Sequence, residues 1–213
     1  MITKHRFRLR FPDDEKSLPW LALLLDAYAV FDEGINAAIA EEEKRRGVRL
    51  ACAKGCCNCC STHRDIPVYP LELVGIYWFV IEKHSQPLRG LLKRKLLDHH
   101  RGDACPFLIE GACSIHAMRP AACRQFNVFS RPCGEGEDPY YTRRSDVLTP
   151  RRGCTDRAFA IMLPFYGIIG RKEIERALKT GVINNLVKVL QLCSWQELPV
   201  RMDEFDLSRK PAD

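Results

Sequence analysis

The chain of 213 residues contains no apolar run of the roughly 18 to 20 residues needed to cross a bilayer. Its most hydrophobic stretch, residues 73–81, is closed off by Glu72 and Glu82, so no membrane partner is expected. The N-terminal segment carries basic side chains but lacks both a continuous apolar stretch and a small-residue cleavage site, and export is not expected. A glycine-rich phosphate loop is missing, as is any alternation of strand and helix patterns; these absences exclude the common nucleotide-binding folds and barrels. There is no internal repeat and no low-complexity tract. The expectation is a soluble, cytoplasmic chain whose 46% hydrophobic residues suffice for a core.

The net charge of +6 is a weak pointer to an acidic partner. It counts cysteine as neutral, and each ligating thiolate would cancel one positive charge. The basic runs Lys93-Arg94-Lys95, Arg143-Arg144 and Arg151-Arg152 lack interleaved aromatics, so they read as solvated faces and nucleic acid is not an expected partner.

Apolar residues Leu21, Leu24, Leu25, Tyr28, Phe31, Ile35 and Ile39 recur at helical spacing, which predicts a long amphipathic helix over residues 19–47. Lys44, Arg45 and Arg46 suit the negative end of its dipole, and Gly47 is placed to cap it. Pro70 opens a second helix to about residue 84, apolar all round and therefore central, and a third is predicted over residues 87–101. Residues 102–153 carry scattered glycine, proline and cysteine with few periodic apolar runs, so irregular backbone is expected, ordered by metal coordination. Thr155 or Asp156 can cap a helix interrupted near Pro164, and helices over 172–180 and 182–193 flank Gly181. The predicted fold is mainly α: a single domain over residues 1–213, with a loop-rich, cysteine-rich metal-binding core at 50–130 flanked by helices at 19–47 and 155–194.

Eleven cysteines are present, and five fall together at Cys52, Cys56, Cys57, Cys59 and Cys60. In a reducing compartment such clustering points to metal ligands rather than disulfides, and the odd count and vicinal pairs fit poorly with full pairing. Fifty residues later come CPFL from Cys105 and then CSIHAMRPAACR, which supplies Cys113, His116, Arg119, Cys123 and Arg124.

These three elements, in this order over about residues 50–130, resemble the YkgJ-like cysteine-cluster family, named for a CxxCxxCC motif and described as zinc- or iron-chelating. The resemblance implies metal binding and a late cysteine after the arginine-proline element, which Cys154 or, in its place, Cys133 would supply; Cys57 is an extra. A related arrangement in flagellin lysine methylases implies an iron-sulfur-dependent protein modification enzyme as an alternative function. The chain is short for that and shows no recognisable S-adenosylmethionine site, so whether it is an enzyme is left open. A zinc-ordered interaction protein, with a protein partner, is the other alternative.

The expected metal ligands are Cys52, Cys56, Cys59, Cys60, Cys105, Cys113, Cys123 and Cys154. Adjacent Cys59 and Cys60 point apart, so they serve two irons of one cluster, or two centres, more readily than one tetrahedral ion. That favours an iron-sulfur cluster of the 4Fe-4S type, with zinc or mononuclear iron as the alternative. The spacing of Cys52, Cys56 and Cys59 also matches the three-cysteine motif of radical enzymes, but Cys60 would fill the open iron. Arg119 and Arg124 are candidates to hydrogen-bond thiolate or sulfide, and His116, three residues after Cys113, to face the same centre. Cys193 reads as a core thiol, and His63, His99 and His100 follow no ligand spacing.

Overall fold

The computed structural model describes residues 8–209; the basic N-terminal stretch before residue 8 and the last four residues lie outside the described part. A short helix α1 (Pro12–Ser17) turns at Leu18 into the long helix α2 (Pro19–Arg46), each opened by a proline whose missing N–H is unneeded in a first turn. The predicted stop holds: Gly47 is left-handed at φ +66° and donates its N–H to Glu43 O at 3.0 Å. One face of α2 is buried from Leu21 through Phe31 to Ala38.

After the first cysteine string come α3 (Asn58–Thr62), β1 (Pro67–Val68), α4 (Pro70–Lys83) and α5 (Leu88–Leu97). The middle segment holds the hairpin of β2 (Leu108–Ile109) and β3 (Ala112–Cys113), then α6 (Ala121–Gln125) and α7 (Pro139–Thr142). The chain ends with α8 (Arg152–Met162), α9 (Arg171–Thr180), β4 (Lys188–Val189) and α10 (Leu198–Ser208). The fold is mainly α, with short antiparallel pairs β1–β4 and β2–β3. Among the described residues no helix is long and apolar enough to cross a membrane.

Helix α4 lies between two hydrophobic cores, as its all-round apolar surface predicts. Leu71 and Trp78 face the first, built on Leu24, Tyr28, Phe31 and Met162 of α2 and α8; Ile76 and Val80 face the second, with Leu92, Phe107, Trp195 and Met202. The helices approach closely at Gly75, where a Cβ would stand 2.2 Å from Leu24 Cδ2.

Three expectations need correction. The helix foreseen over 87–101 ends at Leu97. The helix expected to be capped by Thr155 or Asp156 instead starts at Arg152, after Arg151 and without a side-chain cap. Residues 182–193 are not a helix: two 3-10 turns flank β4, whose Val189 pairs with Pro67, because strand pairing outweighs local spacing there. Gln191 completes this junction, accepting from Ile66 N at 3.2 Å and donating to His63 O at 3.0 Å. Helix α10 was not foreseen; Pro199 in its first turn and buried Leu198 and Met202 were its signals.

Glu72 is fully buried on α4. Its carboxylate accepts from Tyr69 N at 3.0 Å and Ala121 N at 2.7 Å, tying the start of α4 to the start of α6. Burial raises its pKa from 4.5 to about 7 against those two bonds and the charge of Arg124. Between the two values the folded state holds a proton that the unfolded chain has released, so stability falls as pH rises through this window. In urea unfolding with reductant and chelator, wild-type stability is therefore expected to decline from about pH 5 to about pH 8. Glu72→Gln should start lower, by about 1–3 kcal/mol for one orphaned N–H, and lose most of that pH slope.

Candidate metal centre

The two cysteine-bearing segments meet at Cys60. Helix α3 starts at Asn58 and so carries Cys59 and Cys60 in its first turn, and the Cys60 carbonyl accepts from the Cys105 N–H at 2.9 Å. The Cys60 thiol lies within interacting reach of those of Cys59, Cys105 and Cys113. Cys113 arrives on the β2–β3 hairpin, whose tight turn Glu110-Gly111 has positive φ at both residues. Cys123, on α6, sits deep enough to feel the charges of Cys105, Cys59 and Cys113.

A more open side is built by a different pairing. Leu50 bridges to Phe129, and Ser130 N–H donates to Arg49 O at 2.9 Å, which sets Cys52 beside the 128–133 segment. Val128 N–H donates to Cys52 Sγ at 3.3 Å, and Arg143 Nη2 to Cys133 Sγ at 3.8 Å. Cys52, Cys133 and the exposed Cys56 lie within electrostatic reach of one another and of Cys59. The gathered thiols are thus Cys52, Cys56, Cys59, Cys60, Cys105, Cys113, Cys123 and Cys133. All eleven cysteines are free.

Crowding splits the acidities of these thiols. The hydrogen bond from Cys60, helped by nearby His63 against the effect of burial, lowers the Cys59 pKa to about 6. The same Cys60 bond lowers Cys113, aided by the positive charge of Arg119. Cys60 itself is pushed strongly up by its bonds to its neighbours, and burial raises Cys123, with repulsion from the surrounding thiolates adding to it. Burial also raises Cys52 and Cys133. Soft thiolates that cannot all ionise together are the donor chemistry that zinc, iron or an iron-sulfur cluster takes, because the cation replaces the protons. Among the described residues, however, no three His, Cys, Asp or Glu side chains stand, as placed, in an arrangement that could hold a metal ion.

Other expected participants are placed differently. Cys154 packs on α2, its Cβ and Sγ 2.6 and 2.9 Å from where a Cβ on Gly34 would be, and its sulfur accepts from Arg157 at 3.5 Å. Arg124 does not hydrogen-bond a thiolate: its guanidinium donates to Asp32 at 2.7 Å and to the carbonyls of Arg119 and Ala117, and lies 3.9 Å from the Tyr28 ring centroid. Its donors suit backbone oxygens better than sulfur because a buried charge needs full satisfaction. Arg119 donates through Nη1 to His116 Nε2 at 3.0 Å, and its buried Nε has no hydrogen-bond partner. His116 is therefore engaged with Arg119, and burial lowers its pKa. Cys57 precedes α3 and offers its carbonyl to Ser61. Cys193 is half-buried beside the second core, donating to Val189 O at 3.4 Å, and is not on a helix.

A polar hub adds to what orders the loop carrying Cys133, a segment for which metal coordination was the expected cause of order. Glu137 accepts from Gly134 N at 2.7 Å, from Arg143 Nε and Thr142 Oγ1 at 2.9 Å, and from Arg131. The bond from Gly134 and the guanidinium of Arg143 hold its pKa at about 2.

Residues overlooked in the sequence include His63, whose ring is buried beside Cys59 with neither nitrogen hydrogen-bonded. The available signal was the separation of four residues from Cys59, which places both on one helix face.

Residues 51–154 match the sequence model of a family described as CxxCxxCC, "putative zinc- or iron-chelating domain". The matched segment contains all eight gathered thiols and ends at Cys154. No curated protein and no solved structure matches the chain.

Removing Arg124 leaves Asp32 and two carbonyls without their partner, so Arg124→Gln is expected to lower stability toward the low end of roughly 3–5 kcal/mol, since Asp32 is a quarter exposed. The loss should be equal with and without chelator in denaturant titrations. A loss seen only in metal-loaded protein would return Arg124 to the centre.

Proposed function

We propose that this chain, whose residues 51–154 match the CxxCxxCC family model, is a cytoplasmic, single-domain metal-binding protein whose gathered thiolates hold an iron-sulfur cluster, most simply 4Fe-4S. The observation that carries the reading is the junction at Cys60, where the Cys105 N–H donates to the Cys60 carbonyl and brings thiols from segments more than forty residues apart within reach of one another. Nothing in ordinary core packing calls for so many sulfurs at one place. Cys59 and Cys60 leave the helix about 100° apart, which suits separate irons better than a single tetrahedral ion.

The ligands in this reading are Cys52, Cys56, Cys59, Cys60, Cys105, Cys113, Cys123 and Cys133. Cys133 takes the place given earlier to Cys154, since Cys133 lies within reach of Cys56 and Cys59 whereas Cys154 fills the seam between α2 and α8. Arg119 and Arg143 supply positive charge beside Cys113 and Cys133. Binding replaces thiol protons and adds its free energy to that of folding.

Anaerobic purification followed by iron, sulfide and zinc analysis tests the reading. A brown protein with iron and acid-labile sulfide is expected, and a colourless one with stoichiometric zinc would replace the cluster by zinc. A chain that takes neither metal would end the proposal. In the same assay Cys133→Ala is expected to lose metal and Cys154→Ala to match wild type; the reverse result would reinstate Cys154.

A further inference from the structure

His63 stands on the same turn as Cys59, with its ring nitrogens buried. Its N–H donates to the Cys59 carbonyl at 3.0 Å, so the turn of α3 between them is intact and both side chains rise from one face. Its side chain retains only 10% of its accessible surface, and neither ring nitrogen has a hydrogen-bond partner. A buried ring nitrogen without a partner is destabilising, so it calls for one. The ring packs edge-on to Phe126, with centroids 4.6 Å apart, which fixes its plane. Nε2 lies 3.5 Å from Asp138 Oδ1, close but not aligned as a hydrogen bond. Asp138 is itself fixed as the N-cap of α7, its Oδ1 accepting from Tyr140 N at 2.9 Å.

We propose that His63 is a nitrogen donor to the same metal centre as Cys59, binding through Nδ1 while Nε2–H donates to Asp138. The inference rests on the metal-binding reading and changes it: one end of the thiol group becomes a mixed nitrogen-sulfur site. Imidazole joins thiolates readily around zinc and iron, and a carboxylate on the second ring nitrogen fixes the tautomer and raises ligand basicity. Coordination on one nitrogen and a small closing motion on the other would satisfy both orphaned atoms together.

The probe is zinc, loaded anaerobically into the reduced, chelator-stripped full chain and examined by X-ray absorption at the zinc edge. Wild type is expected to show sulfur at about 2.3 Å together with a nitrogen contribution at about 2.0–2.1 Å. His63→Ala should lose the nitrogen contribution and at least tenfold in zinc affinity. Asp138→Asn, which preserves the helix cap, should keep the nitrogen and bind zinc about 10–100-fold more weakly. His63→Cys restores a donor and should recover zinc with an all-sulfur shell, a rescue that a purely structural histidine would not give; it also decides the matter if the alanine variant fails to fold. An all-sulfur shell in wild type, or a nitrogen contribution that survives His63→Ala, overturns the role of His63 while leaving thiolate binding intact. Wild-type protein that takes up neither zinc nor iron overturns the metal-binding reading itself.

Discussion

Sulfur atoms gathered around the Cys60–Cys105 junction cannot all carry charge at once. Ionising one thiol makes the next harder to ionise, and burial penalises every charge, which is why Cys59 and Cys113 become more acidic while Cys60 and Cys123 become far less so. A multivalent cation removes the conflict by replacing several protons together. The chemistry of the site and the strain of assembling it therefore have one origin, and the rest of the fold is the scaffold that tolerates this crowding.

That scaffold is held by buried polar clamps between helices that also share apolar cores. Glu72 joins the starts of α4 and α6, so Cys123 is fixed relative to α4. Arg124, one residue beyond Cys123, ties α6 to Asp32 of α2 and to the carbonyls of the preceding turn. Gln191 anchors the C-terminal segment to the exit from α3 through Ile66 and His63. Each clamp reaches a cysteine-bearing element from a different side. The clamps thus hold α6 and the exit from α3, the elements that carry Cys123 and adjoin Cys59 and Cys60.

The open side is held differently, by exposed and half-exposed ion pairs. Glu137 collects donors from Gly134, Thr142, Arg131 and Arg143, and Arg143 in turn reaches the Cys133 sulfur. Charge-assisted hydrogen bonds of this kind order a loop without burying much apolar surface. They also carry Asp138 to the edge of the His63 ring, so the loop that brings Cys133 brings a carboxylate as well.

Periodicity and end signals in the sequence by themselves determined α2 and α4, the central place of α4 and the mainly helical class, because apolar spacing, an initial proline and a terminal glycine act locally. The clustering of cysteine likewise marked residues 52–60 and 105–123 as places for metal chemistry. Only the tertiary structure placed Cys133 near Cys56 and Cys59 and Cys154 against α2, gave Arg124 its bond to Asp32, and paired Lys188 and Val189 as a strand where a helix was expected. It alone also set the buried ring of His63 between Cys59 and Asp138. Those outcomes depend on contacts between residues far apart in the chain, where local spacing carries no information about which polar groups will be buried together.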